Sequence, residues 1–237
     1  SMASIFDESI PTAIDRKKMD RIIKDATHVQ QISANFGRKF TLLRGLGGTG
    51  KTLALLQSAW SSFDVHQQKT LFLTYNRALE ADVKRLTALL NLYAIRDNNW
   101  IKVRTVMSFI YHWLVYLGVI EKQFFEENKD SYRENCLEAL NLIKEGAITN
   151  DDIDQVKSNY PHELQFDNLV IDEGQDWPVE EVRLLKALYD SKALCVSDGK
   201  QQLVRGEQVD WLEGIAKEER EIISLDKSLR MKSNLSA

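Results

Sequence analysis

Cysteine, proline and long apolar runs are all scarce in this 237-residue sequence. The two cysteines, Cys136 and Cys195, lie far apart and form no CxxC pair. That excludes a disulfide framework and a structural zinc site and leaves reduced core thiols as the reading. With three prolines, 43% hydrophobic and 28% charged residues, the composition is that of an ordinary globular chain, neither disordered nor fibrous. No apolar run approaches the length that spans a bilayer. The opening SMAS (residues 1–4) is read as an expression scar, nothing after it resembles a secretory signal, and the cytoplasm is the expected compartment. Neither sign of charge dominates: 31 Lys and Arg stand against 35 Asp and Glu, for a net charge of −4. A nucleic-acid partner would therefore have to meet a local basic or stacking surface, since the overall field does not attract it.

What is present is an alternation of short apolar runs with longer amphipathic ones, the pattern of a parallel α/β sheet. Strands are predicted at 40–44 (FTLLR), 70–74 (TLFLT), 101–105 (IKVRT), 168–172 (NLVID), 193–197 (ALCVS) and 221–225 (EIISL). Their nearly unbroken apolar character is that of strands covered on both faces. Between them, Leu79, Val83, Leu86, Leu90 and Tyr93 recur at helical spacing and predict a helix over 78–93 whose stripe is a core face. The polar stretch 121–161 reads as a helical insertion beside the sheet, within wider bounds of about 110–165, its acidic positions forming a solvated face. The remainder, 5–237, is expected to be one domain.

RGLGGTGKT, residues 44–52, satisfies G-x-x-x-x-G-K-[ST] with Gly45, Gly50, Lys51 and Thr52, and stands between a strand and a helix. Gly45, Gly47, Gly48, Thr49 and Gly50 would turn backbone N–H groups inward around phosphate oxygens, with the positive end of the helix dipole behind them. Lys51 would lie on the β- and γ-phosphates and the Thr52 hydroxyl on Mg²⁺. NLVIDEGQDWP supplies a second cluster at a strand end. There Asp172 would hold Mg²⁺ and Glu173 would polarise an attacking water. A carboxylate pair at a strand end says little by itself, but joined to the glycine-rich loop it points to hydrolysis. The adjacent glutamate and the absence of an N-K-x-D motif argue against a GTPase.

The order of these segments resembles superfamily 1 helicases of the UvrD/Rep type. GLGGTGKT is similar to their motif I, LFLTYNRALEADVKRL to motif Ia, and VRTVMSFIYHWL to the strand and threonine before their next helix. VIDEGQDWP resembles the D-E-x-Q-D of motif II, CVSDGKQQL the D-x-x-Q of motif III, and LDKSLRMKS the start of motif IV. Together they cover residues 30–230. The resemblance implies a P-loop NTPase with a RecA-like parallel sheet and a small helical insertion. ATP and Mg²⁺ are the implied cofactors, and single-stranded DNA, or RNA, the implied partner. It further implies that Gln175 couples the hydrolytic site to its neighbours, that Gln201 senses the γ-phosphate, and that Arg230 supplies charge to the transferring phosphoryl group.

A glutamine upstream of the loop reads adenine in this family; HVQQIS offers Gln30 and Gln31, of which Gln30 is taken. For nucleic acid, Tyr75 could stack on a base and Asn76 meet a phosphate, with Thr105 a second backbone contact; Tyr75 reads equally as a partly buried core aromatic. The family's aromatic after the motif III glutamine is replaced here by Val204, Arg205 and Gly206, a departure at the base-stacking position. Such helicases close two RecA-like domains around ATP, and no motif of a second one occurs in these 237 residues. The expectation is the first motor domain of a longer helicase, which hydrolyses ATP slowly and does not unwind DNA alone. A thymidine-kinase-like nucleoside kinase and a non-catalytic nucleotide-gated interaction module are the alternatives. The first would be expected to carry zinc-binding cysteine pairs, and the second would not turn over ATP.

Overall fold

Along each central strand, alternate side chains enter two different cores. Leu71 and Leu73 of β2 face one, and Phe72 between them faces the other. Leu169 and Ile171 of β4 are split in the same way from Val170, and Leu194 and Val196 of β5 from Cys195. The period of two along a strand turns a continuous apolar run into two apolar faces. In this computed structural model, residues 26–46, 49–75, 77–89, 101–121, 131–199 and 209–225 are described.

Six strands form one all-parallel sheet: β1 (Phe40–Gly45), β2 (Thr70–Thr74), β3 (Ile101–Thr105), β4 (Asn168–Ile171), β5 (Leu194–Asp198) and β6 (Arg220–Leu225). Their order is β3-β2-β4-β5-β1-β6, and every pair is parallel. All six predicted strands are present, their ends within a residue of the expected ones. The helix predicted over 78–93 occupies Arg77–Leu89; Leu90 and Tyr93 lie outside the described residues.

Helices α1 (Ala26–Asn35), α2 (Lys51–His66) and α3 (Arg77–Leu89) cover one face, burying Ile32, Phe36, Leu55, Leu56, Ala59 and Val83. The other face carries α4 (Val106–Tyr116), α5 (Tyr132–Lys144), α6 (Asn150–Asn159), α7 (Pro161–Leu164) and α8 (Val179–Leu188). This division follows from topology. β1 to β2 and β2 to β3 step one way across the sheet and the later connections step the other way, so right-handed crossovers put their helices on opposite faces. Between residues 132 and 164 the chain forms the three helices α5, α6 and α7, which share a core with the sheet through Tyr132, Cys136, Ala139, Ile153 and Leu164. Among the described residues, no helix is long and apolar enough to cross a membrane.

Candidate functional site

Because all strands run the same way, Gly45, Tyr75, Thr105, Asp172 and Asp198 come to one edge of the sheet, although they are scattered through the sequence. At this edge α2 leaves β1 toward one face, while the chain after β4 and β5 leaves toward the other. Such a crevice beyond the carboxyl ends of strands, at a point where the topology reverses, is where open α/β sheets receive ligands.

The loop after β1 turns tightly on itself. Thr49 donates from both its N–H and its hydroxyl to Leu46 O, at 3.3 and 2.9 Å. Gly50 caps α2 at φ 85° and ψ 18°, a left-handed conformation that favours glycine, and offers no side-chain hydrogen bond to the helix. The first N–H groups of α2 thus have no side-chain partner from the cap. A Cβ on Gly45 would stand 2.7 Å from Thr49 Oγ1 and 3.1 Å from Leu225 O, so only glycine fits there.

Lys51 is 4% exposed and folds back over the loop, donating from Nζ to Gly45 O at 3.0 Å and Leu46 O at 3.3 Å. Among the described residues it forms no ion pair. A buried ammonium satisfied only by carbonyl oxygens suits a site that receives an anion.

The acidic cluster meets this loop directly. Thr52 Oγ1 donates to Asp172 Oδ2 at 2.9 Å, across 120 residues of sequence. Ser197 Oγ donates to Asp172 Oδ1 at 2.7 Å and accepts from Glu173 N at 3.0 Å. Burial pushes the Asp172 carboxyl above its ordinary value and nearby Glu173 adds to this, while Ser197, Thr52 and Lys51 oppose it. A threonine hydroxyl beside a carboxylate is an all-oxygen donor set, which fits Mg²⁺ held jointly by protein and phosphate.

Glu173 takes φ 51° and ψ 47°, left-handed although it is not glycine, and such strain gathers at functional sites. Gln175 Nε2 donates to Glu173 Oε2 at 2.7 Å, and Gly199 N donates to Gln175 Oε1 at 2.8 Å. Two indoles hold this turn from below. Trp177 Nε1 donates to Asp172 O at 3.3 Å and Trp211 Nε1 to Gly174 O at 2.8 Å.

Lys51, Thr49, Gly45, Gly50, Thr52, Asp172, Glu173 and Gln175 are therefore gathered in one place. Tyr75 is 43% exposed just beyond β2 and belongs to neither of the two core clusters. Thr105 ends β3 beside β2 and caps α4, accepting from Ser108 N at 3.4 Å. Gln30 and Gln31 are both exposed, and Gln31 Nε2 donates to Glu221 Oε1 at 3.4 Å. Gly47, Gly48, Asn76, Gln201 and Arg230 lie outside the described residues, as do residues 204–206. Ser197, Trp177 and Trp211 were not foreseen as site residues. Ser197 stood inside the segment CVSDGKQQL, but a serine in a strand carries no signal until its neighbours are known. Neither a family model nor a curated protein matches this chain.

Proposed function

We propose that this chain is a P-loop NTPase domain of RecA-like build that binds and hydrolyses ATP, and that it serves as the first motor domain of a UvrD/Rep-type superfamily 1 DNA helicase. The observation that carries the hydrolytic part is the 2.9 Å hydrogen bond from Thr52 to Asp172. It joins a glycine-rich loop to an acidic strand end, two motifs that sequence alone leaves 120 residues apart.

In this reading the loop N–H groups and the start of α2 hold the phosphates, and Lys51 leaves its carbonyl partners to lie against the β- and γ-phosphates. Thr52 and Asp172 would hold Mg²⁺, which supplies charge neutralisation on the phosphate oxygens. Glu173 accepts the proton of a water whose oxygen attacks the γ-phosphorus. The bond from that phosphorus to the β–γ bridging oxygen breaks, leaving ADP and inorganic phosphate. The helicase part rests on the order of the six motif-like segments. Exposed Tyr75 and the end of β3 at Thr105, adjacent on this edge, offer a stacking and a backbone contact for a single strand.

Phosphate release from MgATP tests the reading. Wild-type chain is expected to turn over slowly, and Glu173→Gln to bind ATP within about threefold of wild type while losing about a hundredfold in kcat. Turnover indifferent to Glu173→Gln and to single-stranded DNA would defeat the motor reading, and phosphate transfer to a deoxynucleoside would replace it with a kinase.

A further inference from the structure

A hydroxyl that none of the motif chemistry requires sits between the two acidic residues. Ser197 is fully buried in β5, the strand that separates β1, which feeds the glycine-rich loop, from β4, which feeds Asp172 and Glu173. A serine hydroxyl has one proton to donate and lone pairs to accept, and Ser197 uses both on consecutive residues. It donates to Asp172 Oδ1 at 2.7 Å and accepts from Glu173 N at 3.0 Å. The same N–H lies 3.2 Å from Asp172 Oδ1, which closes a triangle of three polar groups. With Oδ1 held by β5, Oδ2 is left facing Thr52 at 2.9 Å.

The main chain of Glu173 depends on the same contact. Its left-handed φ of 51° is unfavourable for a residue with a Cβ, and an N–H with a fixed acceptor helps hold it there. Two residues further along the chain, Gly199 N positions Gln175, which in turn binds the Glu173 carboxylate. The end of β5 therefore reaches the carboxylate of Asp172, the backbone of Glu173 and, through Gln175, the side chain of Glu173.

We infer that Ser197 is a positioning residue for the proposed ATP hydrolysis, its hydroxyl fixing the Asp172 carboxylate and the Glu173 main chain relative to each other. The inference rests on the hydrolytic reading of the site. Without the hydroxyl, Asp172 is free to rotate away from Thr52, and Glu173 loses an acceptor that holds it in the left-handed region. Lys51 and the loop, which meet the phosphates, are untouched. The loss falls on kcat and not on KM.

Steady-state ATP turnover and ATP binding measured on Ser197→Ala, Ser197→Cys and Cys195→Ala test this. Cys195 lies two residues away in β5, on the same face of the sheet as Ser197 but packed in the core away from both carboxylates, so its variant reports packing loss alone. Ser197→Ala is expected to lose about tenfold or more in kcat, the worth of a hydrogen bond to a charged group, with KM for ATP within about threefold. Ser197→Cys, whose thiol is only a weak donor and acceptor, is expected to lose about threefold or more in kcat but less than Ser197→Ala, and Cys195→Ala to turn over like wild type. A folded Ser197→Ala or Ser197→Cys with kcat within about twofold of wild type overturns the inference, as does an equal loss in Cys195→Ala. Should Ser197→Ala not fold, Ser197→Cys alone decides. Wild-type chain that releases no phosphate from MgATP defeats the hydrolytic reading and this inference together, a different result from normal wild-type turnover unaffected at Ser197.

Discussion

Glu181 shows what a single buried carboxyl does to a fold. It is 3% exposed on α8, with Oε1 accepting from Tyr132 Oη of α5 at 2.8 Å, while Oε2 is buried without a hydrogen-bond partner among the described residues. Burial pushes its carboxyl up to about 7 from 4.5; the Tyr132 hydrogen bond opposes this and Glu180 adds to it. Between those values the folded chain keeps a proton that the unfolded chain has released. The contribution to stability is therefore complete below about 4.5 and is lost as pH rises through 7. The full window is worth roughly 3 kcal/mol. Urea unfolding of wild type is expected to weaken across it, and Glu181→Gln to remove that part of the slope and to be the more stable of the two at pH 8. Parallel pH profiles for the two chains would refute this role. At the same scale, burial pushes the Asp172 carboxyl above its ordinary value, and Ser197, Thr52 and Lys51 each act against that rise.

At the scale of elements, the turn that follows β4 is held by packing from neighbouring segments more than by its own sequence. Its short 3-10 segment, Gly174–Asp176, runs so close to β5 that a Cβ on Gly174 would collide with Val196 Cγ1 and stand 3.0 Å from Trp211 Nε1. Trp177 and Trp211 meet nearly edge to face, with ring centroids 5.8 Å apart, and each indole spends its N–H on a carbonyl of the turn. Gly174→Ala is expected to cost about 1–3 kcal/mol by overpacking. It should also lower ATP turnover more than ATP binding, since Asp172 and Glu173 are displaced together. Chemical denaturation and a binding titration on the same preparation check both parts; unchanged stability would mean that β5 yields easily. The strands themselves were legible in the sequence because burial on both faces leaves unbroken runs such as TLFLT and NLVI. The support of the turn was not, because a glycine forced by a neighbour looks like any other, and Trp211 is 37 residues from the carbonyl it binds.

For the molecule as a whole, the strand order β3-β2-β4-β5-β1-β6 decides what meets at the carboxyl edge. That order was not legible: a parallel pairing leaves no local mark, and nothing in FTLL announces that its neighbours are β5 and β6. The glycine-rich loop and the acidic strand end were legible as chemistry, whereas their meeting through Thr52 and Asp172 is a product of the order. A ligand that binds only the assembled edge stabilises the whole fold by mass action, about 2.7 kcal/mol at a hundredfold excess over Kd. MgATP is accordingly expected to raise the unfolding temperature, EDTA to reduce the shift, and Lys51→Ala to abolish it; an equal shift in Lys51→Ala would place the nucleotide elsewhere. The same order has a consequence during synthesis. β1 pairs only with β5 and β6, so once it leaves the ribosome its backbone waits for partners that emerge on the order of ten seconds later at ordinary elongation rates. Through that interval the apolar run Phe40–Leu43 depends on chaperones or on provisional burial against α2. The carboxyl edge thus comes into being only after β5 has emerged, and a nascent chain that stops short of β5 is expected to lack it.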